Sequence, residues 1–283
     1  RISCDLPWLR AALERASGVD AITGQLLGIC DRVYGSGKRQ YSQDIRLHIL
    51  RNDFMIDTAQ GGRGSALKQI ECNMIAASFS THAQDLTAIH RYLLSKYVPR
   101  TCGEISEPAR LASLLDQLLP ESPAAASLAG ALAAAHAAYA SRWTAALGQR
   151  AVLFVSDVAE SNELDHRKIE IALFRDHGVV ALRRSLAALG SQGATLLAPL
   201  ARPGSDGTQH HALVVDGFEV SVAYFRSGYW ACQFDPSAEC WAAREAIEAS
   251  EAVKCPSAPA QLAGMKKVQQ LLCRAEELRR FVP

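Results

Sequence analysis

Two stretches are the most informative about the fold, namely Ala66-Leu-Lys-Gln-Ile-Glu-Cys-Asn-Met-Ile-Ala-Ala-Ser-Phe79 and Lys254-Cys-Pro-Ser-Ala-Pro-Ala-Gln-Leu-Ala-Gly-Met-Lys-Lys-Val-Gln-Gln270. The first stretch predicts a strand that runs into a loop of small residues. Residues i and i+2 of a strand point to the same side, so Glu71 and Asn73 are expected on one face. The second stretch predicts a helix-like run in which paired lysines follow Gly264.

Apolar periodicity around the first stretch predicts a hairpin between helices. Ile45 to Ile56 begins as an alternating strand, Thr58 to Ser65 is a glycine-rich loop, and Leu67 to Ile75 returns as the partner strand. Helical spacing precedes the hairpin over Asp5 to Asp31 and follows it over Ala83 to Lys96. The first half is therefore expected to be helical with one β-hairpin.

From Arg150 the pattern changes to that of an α/β domain. Ala151 to Val155 is a continuous apolar run, typical of a parallel strand buried on both faces. Further strands are predicted at Val179 to Leu182 and, as a hairpin with an Asp-Gly turn, over Leu213 to Phe225. The helices of this half are predicted over His166–His177, Trp241–Val253 and Gln261–Phe281. Alternating strands and helices predict an open, mostly parallel sheet with helices on both faces.

Composition narrows the class of protein. A chain of 283 residues suits one large or two medium domains. The 30 basic and 29 acidic side chains leave a formal net charge of +1, which provides no electrostatic footprint for nucleic acid. Ser122 to Ser141 is uncharged but mostly alanine, which predicts a closely packed helix and no membrane span.

The eight cysteines favour free thiols. No pair has the C-x-x-C spacing of a zinc or redox site, and the N-terminus lacks the order of a secretion signal. Buried free cysteines are typical of a reducing compartment. We therefore expect the cytoplasm or an organellar matrix, and no secretion.

Glu71 and Asn73 are candidate metal ligands. A carboxylate and an amide oxygen on one face suit Mg²⁺, which completes its shell with phosphates and water. The alternative is a polar strand face that is turned to solvent. Lys266 is a compact charge suited to phosphate, and its alternative is a solvated lysine on an amphipathic helix.

Three further segments are candidates for substrate binding. Arg51 can grip a carboxylate through two parallel hydrogen bonds, or it can pair with Asp53 or Asp57 on an edge strand. Glu160-Ser-Asn-Glu-Leu-Asp-His-Arg167 follows the buried strand, at the end where open α/β sheets bind ligands. Arg226-Ser-Gly-Tyr229 leaves the end of another predicted strand. For these two segments the alternative is a polar surface loop.

In this order and spacing, the segments resemble the eukaryotic type of glutathione synthetase, which joins glycine to γ-glutamylcysteine using ATP. Residues 51–55, Arg-Asn-Asp-Phe-Met, are similar to that family's Arg-Ser-Asp-Tyr-Met. Residues 160–167 are similar to its Glu-Arg-Asn-x-x-Asp-Gln-Arg, and residues 226–229 to its Arg-Asp-Gly-Tyr. The resemblance runs with gaps from about Tyr34 to the C-terminus.

The resemblance implies roles for individual residues. Glu71 and Asn73 would be ligands of Mg²⁺, and Glu71 and Lys266 would contact ATP. The implied substrate-binding residues are Arg51, Ile75, Ala76, Ala77, Ser78, Glu160, Ser161, Asn162, His166, Arg226, Ser227, Gly228 and Tyr229. Four of these depart from the family's pattern, namely Ala76, Ser161, His166 and Ser227.

The resemblance also implies a domain organisation and an activity. Residues 1–149 would be the helical and β-hairpin part of an incomplete ATP-grasp region, 150–265 a pre-ATP-grasp-like substrate-binding domain, and 266–283 the start of the remaining ATP-grasp region. The implied activity is the ATP- and Mg²⁺-dependent ligation of γ-glutamylcysteine and glycine. The alternative is a catalytically inactive, truncated homologue that serves as a structural subunit or ligand-binding module. The implied assembly is a homodimer or a subunit of a larger complex.

Overall fold

The structure is a computed structural model that describes residues 1–35, 44–58, 65–101, 107–200, 210–234 and 238–282. It is a mixed α/β fold. The helices are α1 (Leu6–Ser17), α2 (Ala21–Tyr34), α3 (Ser80–Thr101), α4 (Pro108–Leu118), α5 (Ala124–Arg142), α6 (Glu163–His177), α7 (Leu186–Gly190), α8 (Ala238–Ala249), α9 (Ala258–Ala263), α10 (Lys266–Leu272) and α11 (Ala275–Arg279). The strands are β1 (Arg51–Asp57), β2 (Ala66–Asn73), β3 (Arg150–Val155), β4 (Val180–Arg184), β5 (Leu197–Pro199), β6 (His211–Val215), β7 (Phe218–Phe225) and β8 (Val253–Cys255).

The chain forms two compact units. The first comprises Arg1–Ala77, Leu132–Glu160 and Val179–Pro283, and the second comprises Ser78–Ala131 and Ser161–Gly178. Both strand systems lie in the first unit. The second unit is helical and contains α3, α4, α6 and the first part of α5.

A six-stranded sheet organises the first unit. Its order is β4-β3-β7-β6-β5, with β8 beside the distal part of β7. β3 runs parallel to β4 and β7, and β8 runs parallel to β7, whereas β5 and β7 are antiparallel to β6. The apolar run from Ala151 to Val155 is fully buried, as the sequence predicts for a central strand. The prediction of a mostly parallel sheet is confirmed.

Two of the predicted boundaries lie at residues with a left-handed backbone conformation. Asp216 and Gly217 join β6 to β7 with φ angles of 51° and 80°, the left-handed pair that a two-residue hairpin turn requires. Gly178 ends α6 with a φ of 66°, and its N–H bonds back to Leu173 and Phe174. Both boundaries agree with the sequence analysis.

The β-hairpin predicted before the small-residue turn at residues 75–78 is also confirmed. β1 and β2 form a separate antiparallel pair in which Arg51 lies opposite Asn73 and Asp53 opposite Glu71. The loop predicted at Thr58 to Ser65 lies mostly outside the described residues. The first strand begins at Arg51, whereas the prediction began it at Ile45. Ile45 to Leu50 does alternate in exposure, but alternation alone supplies no ladder partner.

The C-terminal helices differ from the prediction. α8 ends at Ala249, and Val253 belongs to β8, because the Val253–Cys255 run is fully buried beside β7. The single helix predicted from Gln261 to Phe281 is divided into α9, α10 and α11. Gly264 ends α9 and Met265 precedes α10 with an extended ψ of 142°, so the chain changes direction just before Lys266.

Two apolar clusters hold the first unit together. One joins β3, β6 and β7 to α7 and α8 through residues such as Leu153, Phe225 and Ile247. The other packs α1 and α2 against α9 and α10 through residues such as Leu9, Leu26 and Leu262. Because α9 and α10 belong to the second cluster, the position of Lys266 is fixed by the N-terminal helices. Among the helices of the described residues, none is long and apolar enough to cross a membrane.

Candidate functional site

The β1–β2 hairpin brings the two predicted metal ligands together. Glu71 and Asn73 lie two residues apart on β2, and the side-chain Nδ2 of Asn73 donates to Glu71 Oε1 at 2.9 Å. The same nitrogen lies 3.5 Å from Asp53 Oδ2 on the opposite strand. The expectation that a carboxylate and an amide converge on one face is therefore confirmed, and Asp53 adds a second carboxylate to the cluster.

Arg51 lies at the edge of this cluster. Its Nε donates to Asp53 Oδ1 at 2.9 Å, and its Nη2 lies 3.8 Å from Glu71 Oε1. The hydrogen bond from Arg51 lowers the pKa of the Asp53 carboxyl. Of the two arrangements considered from the sequence, the pairing with Asp53 is the one present here. A role of Arg51 in gripping a substrate carboxylate stays a prediction.

Lys266 completes the cluster from the far end of the chain. It is the first residue of α10, its side chain is 70% exposed, and its Nζ forms an ion pair with Glu71 Oε2. Exposed ion pairs of this kind contribute little to stability, since the ammonium group keeps most of its hydration. Exchanging the Glu71 carboxylate for a phosphate oxygen would therefore cost Lys266 little free energy.

Gln269 fixes α10 against β2 and was not singled out from the sequence. Its Oε1 accepts from the backbone N–H of Cys72 at 3.0 Å, and its Nε2 donates to the Cys72 carbonyl at 3.2 Å. The side-chain amide thus bonds to the strand as a neighbouring peptide group would. Cys72 lies between Glu71 and Asn73, so this contact sets the distance from Lys266 to both.

The donor set of the cluster fits Mg²⁺. One carboxylate and one amide oxygen are what a protein supplies when phosphates and water fill the remaining positions. Asn73 uses its nitrogen for the hydrogen bonds described above, which leaves its carbonyl oxygen for a cation. Among the described residues, no group of three or more His, Cys, Asp or Glu side chains could hold a metal ion by itself.

The small-residue turn after β2 is held by Arg226. Ala76 has a left-handed φ of 49°, and Ala77 is buried. The guanidinium of Arg226, only 2% exposed, donates to the Ala77 carbonyl and to the Tyr224 hydroxyl, the latter at 2.9 Å. Arg226 therefore positions the turn, and its predicted contact with substrate stays a prediction.

The loop that follows β7 is ordered by backbone contacts. The N–H groups of Arg226 and Ser227 both donate to the Val155 carbonyl, at 2.8 and 3.0 Å. Gln233 Oε1 accepts from three successive N–H groups, those of Gly228, Tyr229 and Trp230. These contacts place the loop at the carboxyl ends of β3 and β7, where the sequence analysis expects ligands.

Glu160 follows β3 and is the last residue of the first unit before the chain enters the second unit at Ser161. Its side chain is half-buried.

Five other predicted residues of the first unit line or border one pocket of about 110 Å³. Asn73, Ile75, Tyr229 and Lys266 line it, and Gly228 precedes Tyr229. The structure therefore brings residues predicted separately for metal, ATP and substrate binding to one pocket, namely Asn73, Lys266, Ile75 and Tyr229.

The second unit holds the remaining predicted residues around Asp165. This buried carboxylate accepts from the Phe79 N–H at 3.2 Å, the Thr81 N–H at 2.9 Å and the Thr81 hydroxyl at 2.7 Å. It also accepts from Asn162 Nδ2 at 3.3 Å. Asp165 thus anchors the start of α3, directly after Ser78. Asp165 lies between Asn162 and His166 in the sequence, and this position within a predicted substrate segment could have identified it.

The other two predicted residues of this unit differ in exposure. Ser161 is exposed, whereas His166 is only 1% exposed, next to Asp165 on the first turn of α6. His166 departs from the family's pattern, because an imidazole and an amide present their donors and acceptors in different geometries.

The chain is similar to known proteins along its whole length. A family model described as "Eukaryotic glutathione synthase, ATP binding domain" matches residues 1–283. The chain is 36% identical over 283 residues to glutathione synthetase of Xenopus laevis, covering 100% of this chain and 52% of that protein. It is 34% identical to the chloroplastic glutathione synthetase of Solanum lycopersicum over 283 residues, covering 100% and 45%. Human glutathione synthetase is 32% identical over 282 residues, covering 100% and 52%.

A solved structure shares the fold. The glutathione synthetase-like effector of Globodera pallida superimposes with a TM-score of 0.65 at 19% identity, covering 99% of this chain and 53% of that one. The chain therefore spans about half the length of the relatives it matches.

Proposed function

The chain belongs to the eukaryotic glutathione synthetase family, and on this premise we propose that it takes part in the ATP- and Mg²⁺-dependent ligation of γ-glutamylcysteine and glycine. It would contribute the γ-glutamylcysteine site and one side of the nucleotide site. In this proposal residues 150–265 form the substrate-binding domain, and residues 1–149 and 266–283 belong to the ATP-grasp region.

One observation carries the proposal. Lys266 and Asn73 both contact the Glu71 carboxylate, although Lys266 comes from the opposite end of the chain. A lysine beside a carboxylate and an amide supports this proposal, because together they could hold Mg²⁺ and a phosphate oxygen of the nucleotide.

The chemistry assigned to these residues is binding and charge stabilisation. Glu71 and Asn73 would hold Mg²⁺, which supplies positive charge at the phosphates. Lys266 would turn from Glu71 to a phosphate oxygen, and the residues near Tyr229 would hold γ-glutamylcysteine with its cysteinyl carboxylate toward the nucleotide. Phosphoryl transfer to that carboxylate gives an acyl phosphate, and the amine of glycine displaces phosphate to form the peptide bond.

The alternative is an inactive homologue that binds a ligand or serves as a structural subunit. The departures at Ala76, Ser161, His166 and Ser227 favour it. Retention of Glu71, Asn73 and Lys266 in contact favours the ligase, because a homologue without nucleotide chemistry has no need of this cluster.

The test measures binding and turnover separately. Calorimetric titrations of the chain with γ-glutamylcysteine and with Mg²⁺-ATP are expected to show binding of both. ADP release that depends on both γ-glutamylcysteine and glycine, measured on the native protein, would establish the ligase. Binding of γ-glutamylcysteine with no dependent ADP release would overturn the ligase in favour of a ligand-binding homologue, and binding of neither would leave a structural role.

A further inference from the structure

The side chain of Gln261 is held in place through its amide nitrogen. Gln261 lies on α9, is only 3% exposed, and its Nε2 donates to the Gly228 carbonyl at 2.7 Å. Because a carbonyl can only accept, the side-chain atom that faces it must be the nitrogen. The amide oxygen of Gln261 is thereby turned away from Gly228.

This amide oxygen is a buried acceptor that lacks a donor. Among the residues that the structure describes, no hydrogen-bond partner reaches Gln261 Oε1. Buried acceptors in folded proteins are nearly always paired, and an unpaired one costs free energy. The missing donor therefore comes from a ligand or from a bound water.

The pocket beside Gln261 lies where the proposed function forms the new peptide bond. Gln261 lines the pocket of about 110 Å³ together with Asn73, Tyr229 and Lys266, and the remaining side chains that line it are apolar. In the proposed function Asn73 and Lys266 face the nucleotide, and the cysteinyl carboxylate is turned toward them. Since this carboxylate becomes the acyl phosphate, the amine of glycine must reach the same place.

The reactants differ in the donors that they bring to this pocket. The phosphates and the cysteinyl carboxylate only accept hydrogen bonds, and the α-ammonium group of γ-glutamylcysteine stays with the γ-glutamyl end, at the loop after β3. The peptide N–H and the thiol of γ-glutamylcysteine are neutral and therefore weaker donors than an ammonium group. The amine of glycine is the strong donor that remains, and it has to come within bonding distance of the acyl carbon.

We propose that Gln261 positions glycine for attack, its Oε1 accepting a hydrogen bond from the glycine amine. The inference rests on the proposed function. The nitrogen lone pair forms the C–N bond, and the bond from the acyl carbon to the phosphate oxygen breaks, with its electron pair leaving on phosphate. Of the two protons that the ammonium group of glycine loses, the released phosphate carries one and the other passes to solvent. A neutral amide suits this role, because a carboxylate would stabilise the protonated, non-nucleophilic amine.

The test separates attack by glycine from formation of the acyl phosphate. The native protein is assayed with Mg²⁺-ATP, γ-glutamylcysteine and either glycine or hydroxylamine, a small nucleophile that captures acyl phosphates as hydroxamates. Gln261→Met keeps the side-chain length but has no amide. It should lower kcat/KM for glycine by about tenfold or more, the scale of a hydrogen bond to a charged group. Hydroxamate formation and the calorimetric affinity for γ-glutamylcysteine should change much less.

Two control substitutions exclude an indirect effect through the loop at residues 226–229. Gln233→Met removes the acceptor of the Gly228 and Tyr229 N–H groups from outside the pocket, so it should affect the glycine and hydroxylamine reactions alike. Gln270→Met alters an exposed residue of α10 and should change neither reaction.

Gln261→Asn provides a second variant in case Gln261→Met does not fold. Its amide is one methylene shorter, so it should show the same selective loss of the glycine reaction. An equal loss of the glycine and hydroxylamine reactions would overturn the inference. No change in either would also overturn it and would leave a bound water as the partner of Gln261 Oε1. Failure of the proposed function is distinguishable, because the wild-type protein would then form neither peptide nor hydroxamate.

Discussion

Lys266 and Glu71 are 195 residues apart in the chain, and they form an ion pair between Nζ and Oε2. Asn73 donates to the other oxygen of the same carboxylate. The residue expected to contact phosphate and those expected to hold magnesium therefore form one cluster, whose members can be tested singly.

Replacing Lys266 should affect nucleotide binding and leave stability intact. Lys266→Met removes a mostly exposed ammonium, so the free energy of unfolding should fall by no more than about 1 kcal/mol. Calorimetry should show weaker binding of Mg²⁺-ATP. Lys267→Met is the matched control, because Lys267 is also exposed and bonds only to Gln270 among the described residues. Equal effects of the two substitutions would contradict the assignment.

Glu71→Gln should remove the magnesium dependence of nucleotide binding. The amide keeps the size of the side chain but loses the charge that attracts a divalent cation. We expect the affinity for Mg²⁺-ATP to fall by about tenfold or more, toward the value without metal. Glu14→Gln alters an exposed carboxylate on α1 and serves as the control. Full retention of the metal effect would exclude Glu71 as a ligand.

Arg226 should matter for both stability and γ-glutamylcysteine binding. Arg226→Ala leaves the Ala77 carbonyl and the Tyr224 hydroxyl without this donor, which should cost about 2 kcal/mol or more. Displacement of the turn should also weaken the ligand, by about 1.5–3 kcal/mol if a charged hydrogen bond to it is lost. Chemical denaturation and calorimetry measure the two effects.

Tyr224→Phe separates the two partners of Arg226. This substitution removes the hydrogen bond of 2.9 Å from Arg226 to the Tyr224 hydroxyl but leaves the one from Arg226 to the Ala77 carbonyl. A loss of about 1 kcal/mol in stability with unchanged ligand affinity is expected. If this variant weakened γ-glutamylcysteine as much as Arg226→Ala does, control of the turn by Arg226 would be contradicted.

Asp165 should be required for the start of α3. The N–H groups of Phe79 and Thr81 donate to different oxygens of Asp165. Asp165→Asn turns one of these acceptors into a donor that faces an N–H group, which should cost about 1–3 kcal/mol. Hydrogen exchange should become faster for the Thr81 amide and the first turn of the helix. Asp116→Asn alters an exposed carboxylate of the same unit and should change neither quantity. Unaltered exchange at Thr81 would refute the anchoring role.

The buried Lys254 should make the free energy of unfolding depend on pH. Burial lowers its pKa from 10.5 to about 8, against the opposing attraction of Glu248 and Glu251. Between these values the unfolded chain binds a proton that the folded chain does not, so this lysine's contribution to stability rises with pH. Below pH 8 both states are protonated and the contribution is constant.

Comparison with Lys254→Met isolates this effect from other titrating groups. Thiols and phenols with raised pKa values, such as Cys255 and Tyr34, oppose it at high pH. The difference in unfolding free energy between wild type and variant should shift in favour of wild type from pH 8 to pH 10. A difference that stays flat over this interval would show that the folded-state pKa is not depressed.

The local elements of the fold follow from the amino-acid sequence alone. Strand alternation placed Glu71 and Asn73 on one face, the buried run at Ala151–Val155 marked the central strand, and Asp216-Gly217 and Gly178 marked a turn and a helix end. These features depend on dihedral preferences and on periodicity within a few residues, which is why they can be read without a partner. The family's motifs also gave the membership that the comparisons confirm.

Which side chains contact one another depends on how the elements pack in three dimensions. That Gln269 bonds to the backbone of Cys72, and that Arg226 bonds to the Ala77 carbonyl, depends on segments that are distant in sequence. The presence of β8 has a similar origin, since burial beside β7 outweighs local helical spacing. Contacts between remote segments follow from how whole elements pack, and local sequence does not encode that packing in a readable pattern.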